Sequence, residues 1–479
     1  MPADPRLDLR ALLDAVEAAP PTAGVEALAG ELANLVGAAE VSFLIVDIVS
    51  GSLARLARTS SDGTPPADGA APQSMPIEGT AAGRALRSQQ VQLVQATRRG
   101  DDGDHTGDHT GDPAAGRAAG YPDAWTDLQA GELAQGRVWL YAPVTERGEA
   151  VGVLELLLPA APDSSTVAYL ASAAHALAYV VIAGRRFTDL YEFGARSAPL
   201  SLEAEIQRRL LPASYTCEGG QFTLAGWLVP ANEAGGDTFD FALDRDTLQL
   251  SITDAMGHGV MAAQLATLVV ASLRNSRRSR AGVLEQAGTA NDVLHEHAGV
   301  DQLVTGLLLR LDLATGTAEV VNAGHVPPLL VRAGQVSELD LPADPAFGVL
   351  PGATYLLQRA QLEPGDRLVL LTDGMLERNA VQARIADLLS QIGDLHPREA
   401  VQALTSAVQQ AAGGQLLDDA TVDHGMGTCA KPRLSRHRGP SPTPRSSNRS
   451  TFVRRAGTAL VRPSAGMGRQ RLRAWRCPR

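Results

Sequence analysis

Four short segments carry aspartates in settings that could hold a metal ion. They are NEAGGDTFDF with Asp237 and Asp240, LSITDAMGHGVMAA with Asp254, DRLVLLTDGMLE with Asp373, and LLDDATV with Asp418 and Asp419. In two of them an apolar run ends in Thr-Asp and enters a glycine-containing turn. A carboxylate at the end of a buried strand is held rigidly, and glycine lets a backbone carbonyl or a water come close. Hard divalent cations such as Mg²⁺ and Mn²⁺ take oxygen ligands of this kind and keep several waters. Converging carboxylates without a metal would repel one another and take up protons. Two cations would neutralise the cluster, activate a water near neutral pH and favour in-line displacement at phosphorus. A single Asp-Gly is usually a turn. The order of all four segments is what carries information.

Other metal or redox chemistry finds less support. His105 and His109 stand four apart in the repeat GDHTGDHTGD, but the Gly and Thr between them disfavour the helix that a shared metal would need. A surface insertion is the expectation there. Cys217, Cys429 and Cys477 are too few and too scattered for a disulfide framework or a zinc site.

The elements that must position the aspartates follow from periodicity. From residue 223 onward the pattern is short strands and turns. Before it, LSLEAEIQRRLLP places Leu202, Ile206 and Leu210 on one helical stripe that ends at Pro212. This helix reads either as a packing helix or as a signalling helix between two domains. Further upstream, 41–57 reads as a β-hairpin, 79–88 as a short helix, 91–94 as a strand, and VWLYAPV with GVLELLLP as two strands around a turn. Residues 164–184 hold no charged side chain and are long enough to span a bilayer. Their Ala and Ser content, and the helical spacing of Val167, Leu170, Leu177 and Val181, point instead to a buried amphipathic helix.

Two resemblances follow from these residues. Region 22–186 resembles a GAF sensor domain through LANLVGAAEVSFLIVD, EGTAAGRALRSQQVQLV and LYAPVTERGEAVGVLELLLP. Such domains bind a small ligand or dimerise, but no residue set here selects haem, cyclic nucleotide or metal, so the ligand stays open. Region 206–422 resembles a PPM-type (type 2C) metal-dependent protein serine/threonine phosphatase of the bacterial SpoIIE/RsbU-like branch. The motifs IQRRLLP, PANEAGGDTFD, TDAMGHGVMAA, VNAGHVPPLL, FGVLP, LTDGMLE and DDATV stand in family order.

The resemblance implies an α+β fold: a GAF-like domain (22–186), a connecting signalling helix (187–212) and an α-β-β-α phosphatase sandwich (213–422). It implies hydrolysis of phosphoserine or phosphothreonine by a metal-activated water, with two divalent cations, Mn²⁺ or Mg²⁺. Asp254 would bridge the metals, the carbonyl of Ala255 would help bind one, and Asp373 and Asp418 would complete the core ligands. Asp237 would act through water or as an outer ligand. Asp419 ranks behind Asp418, and Asp240 would orient Asp237 or face solvent. His258 lies at a different offset from the family's acid histidine and receives no such role. His325, in NAGHVPP, is expected to fix a turn beside the site.

The resemblance also implies a substrate class, a phosphorylated STAS-domain anti-sigma-factor antagonist, and a homodimer controlled by the GAF-like domain. The chain carries 42 Lys+Arg against 53 Asp+Glu, a net charge of −11. Residues 423–479 hold 14 of those basic residues and one acid, so the body is more acidic than the total. That argues against nucleic-acid binding by the body, leaving the tail as the one candidate for it. The start of the chain lacks the apolar core of a signal peptide, so a cytoplasmic protein without membrane attachment is expected. Apolar alternation stops after Val422, where the family's last strand continues. The tail reads as a disordered interaction arm, an idle solvated tail or, the favoured reading, out-of-frame sequence. Loss of that strand would leave Asp418 poorly held, and an impaired sensor or scaffold is the alternative function.

Overall fold

Alternation in VSFLIVD decides how the N-terminal layers form. Phe43 and Ile45 point to one face of a sheet and Leu44 to the other, and all three are buried. The computed structural model describes residues 9–47, 51–60, 74–96, 136–196, 200–229, 235–299, 302–376, 379–411 and 420–426. Within it the N-terminal elements are α1 (Leu9–Ala18), α2 (Gly24–Val36), β1 (Glu40–Asp47), β2 (Ser52–Ser60), β3 (Ser74–Pro76), α3 (Ala81–Ser88), β4 (Gln92–Gln95), β5 (Val138–Glu146), β6 (Glu149–Leu158) and α4 (Ser164–Gly184). The strands form one antiparallel sheet in the order β3-β2-β1-β6-β5-β4. Helices α1, α2 and α4 cover the Phe43 face, and α3 covers the Leu44 face.

Helix α4 starts at an Asp163 cap, whose carboxylate accepts the Thr166 N–H at 2.8 Å. It is the one helix among the described residues long and apolar enough to cross a membrane. Leu170, Leu177 and Val181 are fully buried against the sheet, as the helical spacing leads one to expect of a core helix.

The connector contains α5 (Leu190–Gly194) and α6 (Leu202–Leu210). Here the sequence expectation fails in part. The helix forms and is capped by Ser201, but Leu202 is 65% exposed and Ile206 and Leu210 are only half-buried. The residue that α6 buries is Gln207, at 2% exposure. Its amide is satisfied by carbonyls in the site described below, so burial here follows hydrogen bonding rather than apolarity.

The C-terminal elements are β7 (Thr216–Glu218), β8 (Thr223–Val229), β9 (Thr238–Leu243), β10 (Thr247–Ala255), α7 (Gly259–Arg278), α8 (Val283–His297), β11 (Val304–Asp312), β12 (Thr317–Ala323), β13 (Leu329–Arg332), β14 (Gln335–Glu338), β15 (Gln358–Gln361), β16 (Arg367–Leu371), α9 (Asn379–Gln391), α10 (Pro397–Ala411) and β17 (Ala420–Met426). One sheet runs β15-β12-β11-β10-β9 and the other β14-β13-β16-β17-β8-β7. Leu250, Ile252, Leu307 and Leu309 of the first sheet pack on Leu224, Leu368 and Leu370 of the second. Outward-facing Leu308 and Val321 take α7 and α8, while Ala225 and Val369 take α9 and α10. The result is the α-β-β-α sandwich expected from the sequence.

Strand β17 corrects a second expectation. The loss of apolar alternation after Val422 argued that the last strand ends there. The strand instead continues to Met426. It pairs with β16 from Leu371↔Val422 to Arg367↔Met426 and with β8 from Val229↔Ala420 to Thr223↔Met426. Ladder hydrogen bonds belong to the backbone, and a strand with a partner on each side can keep them without an apolar pattern. Contacts divide the chain into Met1–Lys431 and Pro432–Arg479, and the second unit lies outside the described residues. So do Asp418, Asp419, His105, His109, Cys429 and Cys477.

Candidate active site

Two threonine hydroxyls close one end of the sandwich. Antiparallel pairing sets Thr238 of β9 opposite Thr253 of β10, and their Oγ1 atoms lie 2.6 Å apart, buried. Asp237 precedes the first and Asp254 follows the second, so this register brings both aspartates to the same sheet end. The Ala255 N–H donates to the Gly236 carbonyl at 3.4 Å. The approach is so close that a Cβ on Gly236 would stand 2.5 Å from the Ala255 carbonyl oxygen. Glycine is required here by contact, not by backbone angle.

The second sheet reaches the same place through Thr372. This residue is fully buried, and its hydroxyl donates to Oδ2 of Asp237 at 2.7 Å. Asp237 is itself 2% exposed. Asp373 follows directly, exposed, at the start of the 3-10 turn Asp373–Met375. Strand β17 opens at this end as well, since Val422 pairs with Leu371. Three of the four aspartate segments, with Asp237, Asp254 and Asp373, thus converge at one end of the sandwich. The fourth ligand expected from sequence, Asp418, lies outside the described residues.

His325 braces the two sheets beside them. Its Nε2 lies 3.1 Å from the Leu371 carbonyl and its Nδ1 2.8 Å from Thr305 Oγ1. A carbonyl can only accept, so Nε2 carries the proton and Nδ1 accepts from the threonine. Thr305 is the cross-strand partner of Asp254, and Leu371 lies two residues before Asp373. Burial pushes the His325 pKa down to about 4, with the Leu371 carbonyl opposing in part. The imidazole is therefore neutral and serves as a brace, which agrees with the structural role expected for it.

Gln207 of α6 grips the first aspartate from outside the sandwich. Its Nε2 donates to the carbonyl of Asp237 at 2.9 Å and to that of Gly235 at 3.4 Å. Asp240, by contrast, neither orients Asp237 nor faces solvent. It is 5% exposed and takes both Nε and Nη2 of Arg274 at 3.0 Å, with Arg277 Nη2 at 2.9 Å. Arg274 Nη2 also donates to the carbonyl of Leu210 at 2.6 Å, tying α7 to the end of α6. His258 is exposed at the head of α7.

Sequence reasoning missed Gln207, Thr372 and Thr305. A signal for one of them was present: each Thr-Asp pair, ITDA and LTDG, places a threonine just before its aspartate. In the fold, Thr253 and Thr372 both reach across to the segment that carries Asp237.

The donors at this end are oxygens: carboxylates of Asp237, Asp254 and Asp373 and the carbonyl of Ala255. That set suits a hard cation better than zinc or copper. Among the described residues no group of three or more His, Cys, Asp or Glu is drawn together closely enough to hold a metal by itself.

Residues 244–422 match the model of the family "Stage II sporulation protein E (SpoIIE)". The chain is 25% identical over 212 residues to Protein IcfG of Synechocystis, covering 38% of this chain and 33% of that protein. It is 22% identical over 179 residues to the phosphoserine phosphatase RsbU of Bacillus subtilis, covering 37% and 53%. The chain therefore spans between a third and about half of the length of these relatives. Among solved structures, the RsbU and RsbW domains of Rv1364c from Mycobacterium tuberculosis align with a TM-score of 0.40 at 26% identity, over 45% of this chain and 61% of that one. Residues 244–422 thus carry the match to the SpoIIE family, and that part of the chain is similar to the phosphoserine phosphatase RsbU.

Proposed function

We propose that the protein is a metal-dependent phosphoprotein phosphatase that removes phosphate from serine or threonine, with Asp237, Asp254, Asp373, Asp418 and the Ala255 carbonyl as its metal-binding and catalytic set. The observation that carries this reading is the Thr372–Asp237 hydrogen bond of 2.7 Å. It joins the segment of Asp373 to that of Asp237, while Gly236 holds Ala255 and hence Asp254 against both.

Two divalent cations, Mn²⁺ or Mg²⁺, would supply Lewis acidity and charge neutralisation at the phosphoryl group. The residues of the chain do the positioning. Asp254 and the Ala255 carbonyl, adjacent at the end of β10, present two oxygen donors from one rigid strand. Thr372 aims the Asp237 carboxylate by occupying one of its oxygens. His325 holds the strand ends behind Asp254 and Asp373 at a fixed separation. Asp373, exposed at the mouth, is open to solvent and to an incoming phosphoserine.

The Bacillus subtilis relative RsbU is a phosphoserine phosphatase, and a phosphorylated STAS-domain antagonist of an anti-sigma factor is the substrate class proposed here. Control by the GAF-like region would act through α6, since Gln207 touches the Asp237 segment directly. The reading of an impaired scaffold rested on loss of the strand beyond Val422 and loses that support with β17 paired on both sides.

The test is Mn²⁺-dependent hydrolysis of a phosphoserine protein by the full chain. Turnover should fall at least a thousandfold in both Asp254→Asn and Asp373→Asn with unchanged melting behaviour. Wild-type turnover in both variants would sink the assignment.

A further inference from the structure

A cleft of about 960 Å³ lies between the N-terminal sheet and the C-terminal sandwich. Its apolar wall includes Val46, Ile77, Leu86, Trp227 and Val401. Two guanidinium groups, those of Arg398 and Arg87, also stand on the wall.

Arg398 is unusual for a buried cation. It is 7% exposed, yet among the described residues no carboxylate lies within ion-pair distance of it. Its Nη1 donates to the carbonyl of Gly148 at 2.6 Å and its Nη2 to the carbonyl of Arg87 at 3.0 Å. A guanidinium has five N–H donors, so those two bonds leave three. Glu399, Glu149 and Glu218 act on it only through space, and burial holds its pKa below the usual arginine range. Arg87 donates to the carbonyl of Ile77 at 3.3 Å and likewise has no ion-pair partner among the described residues. Buried guanidinium groups are normally matched by an anion.

The acids on the wall do not supply that match. Glu149 turns Oε2 to the N–H groups of Thr216 at 2.8 Å and Tyr215 at 3.2 Å. Burial raises its pKa, against the hydrogen bonds from Thr216 and Tyr215 that lower it. Glu78 is exposed at the rim, and Asp47 is buried with contacts of its own.

We propose that this cleft binds an amphipathic organic anion, a molecule with an apolar body and one carboxylate, phosphate or sulfonate head, which Arg398 and Arg87 hold between the two halves of the chain. A cleft of this volume matches a drug-sized ligand. The head would take bidentate donors that main-chain carbonyls leave unused, and the body would lie against Trp227 and Val401. Because the ligand would touch both halves at once, it would favour their docked arrangement by its difference in affinity for docked and undocked forms. The inference stands apart from the phosphatase reading and would survive its failure.

The probe is 1-anilinonaphthalene-8-sulfonate, with neutral N-phenyl-1-naphthylamine as the same body without the head, titrated by fluorescence into the full chain. Expected results are saturable one-to-one binding of the sulfonate, at least tenfold tighter than the neutral probe, and at least tenfold weaker binding in Arg398→Met. Arg398→Lys, which keeps the charge, should lie between. Should Arg398→Met fail to fold, Arg87→Met carries the same expectation, because that side chain is half-buried and makes one long bond. Sulfonate affinity unchanged in a folded arginine variant overturns the proposal. So does equal binding of the neutral probe, or no saturable binding by the wild type.

Discussion

Replacing Thr372 by valine removes one hydroxyl and almost no volume. The hydroxyl lies in a fully buried side chain and donates to a carboxylate that is 2% exposed, at 2.7 Å. A hydrogen bond to a charged group contributes about 1.5–3 kcal/mol, and a buried acceptor that loses a donor cannot turn to water. The metal-free protein should therefore lose about 2 kcal/mol, on the order of 5 °C in melting temperature for a domain of this size. The larger consequence concerns metal. Groups that orient a metal ligand typically account for about 10–100-fold in affinity, so the Mn²⁺ dissociation constant should rise by that factor. The assay is Mn²⁺ titration followed by thermal shift, with Thr372→Ser as the control that keeps the hydroxyl. If valine matches wild type in both melting temperature and Mn²⁺ affinity, Thr372 does not hold Asp237 and the joining of the two sheets at this point is wrong.

Two further outcomes follow from buried ionisable groups. His325 is held neutral at a pKa of about 4, against 6.5 in the unfolded chain, so below pH 6.5 the unfolded state binds a proton that the folded state does not. Stability from this residue is complete above pH 6.5 and falls as pH drops towards 4, by on the order of 3 kcal/mol across the window. Urea midpoints of wild type and His325→Gln, compared over that range, should converge as pH falls, and a constant difference would remove the brace from the account. Asp240→Asn strips Arg274 and Arg277 of their buried carboxylate and should destabilise by about 3 kcal/mol while leaving Mn²⁺ affinity within twofold. A large loss of metal affinity in that variant would mean that Asp240 belongs to the site after all.

The elements were legible in the sequence where side chains do the ordering. VSFLIVD and GVLELLLP read as strands because their alternate residues face two different cores, and α4 read as a buried helix because Leu170, Leu177 and Val181 recur on one face. The aspartates were legible because strand-end Thr-Asp segments repeat. Two features escaped for physical reasons. Helix α6 carries an apolar stripe, yet its buried residue is Gln207, whose amide meets two carbonyls 28 and 30 residues away that periodicity cannot register. Strand β17 lacks a strand-like pattern after Val422, yet β16 and β8 supply its hydrogen bonds from both sides. Asp240 misled for a third reason. It sits three residues after Asp237 in a motif rich in acids, and only the fold reveals that Arg274 and Arg277 of α7 stand opposite it.

Asp254, Asp237 and Asp373 stand at one end of the sandwich, and holding metal there is the role proposed for them. Mn²⁺ binding to the full chain, followed by isothermal titration calorimetry without any substrate, measures that role. Two bound ions per chain are expected for wild type. Asp254→Asn should lose both, since Asp254 and the neighbouring Ala255 carbonyl belong to the set proposed to hold them, whereas Asp240→Asn should keep both. Full stoichiometry in Asp254→Asn, or no binding by the wild type, would contradict the account.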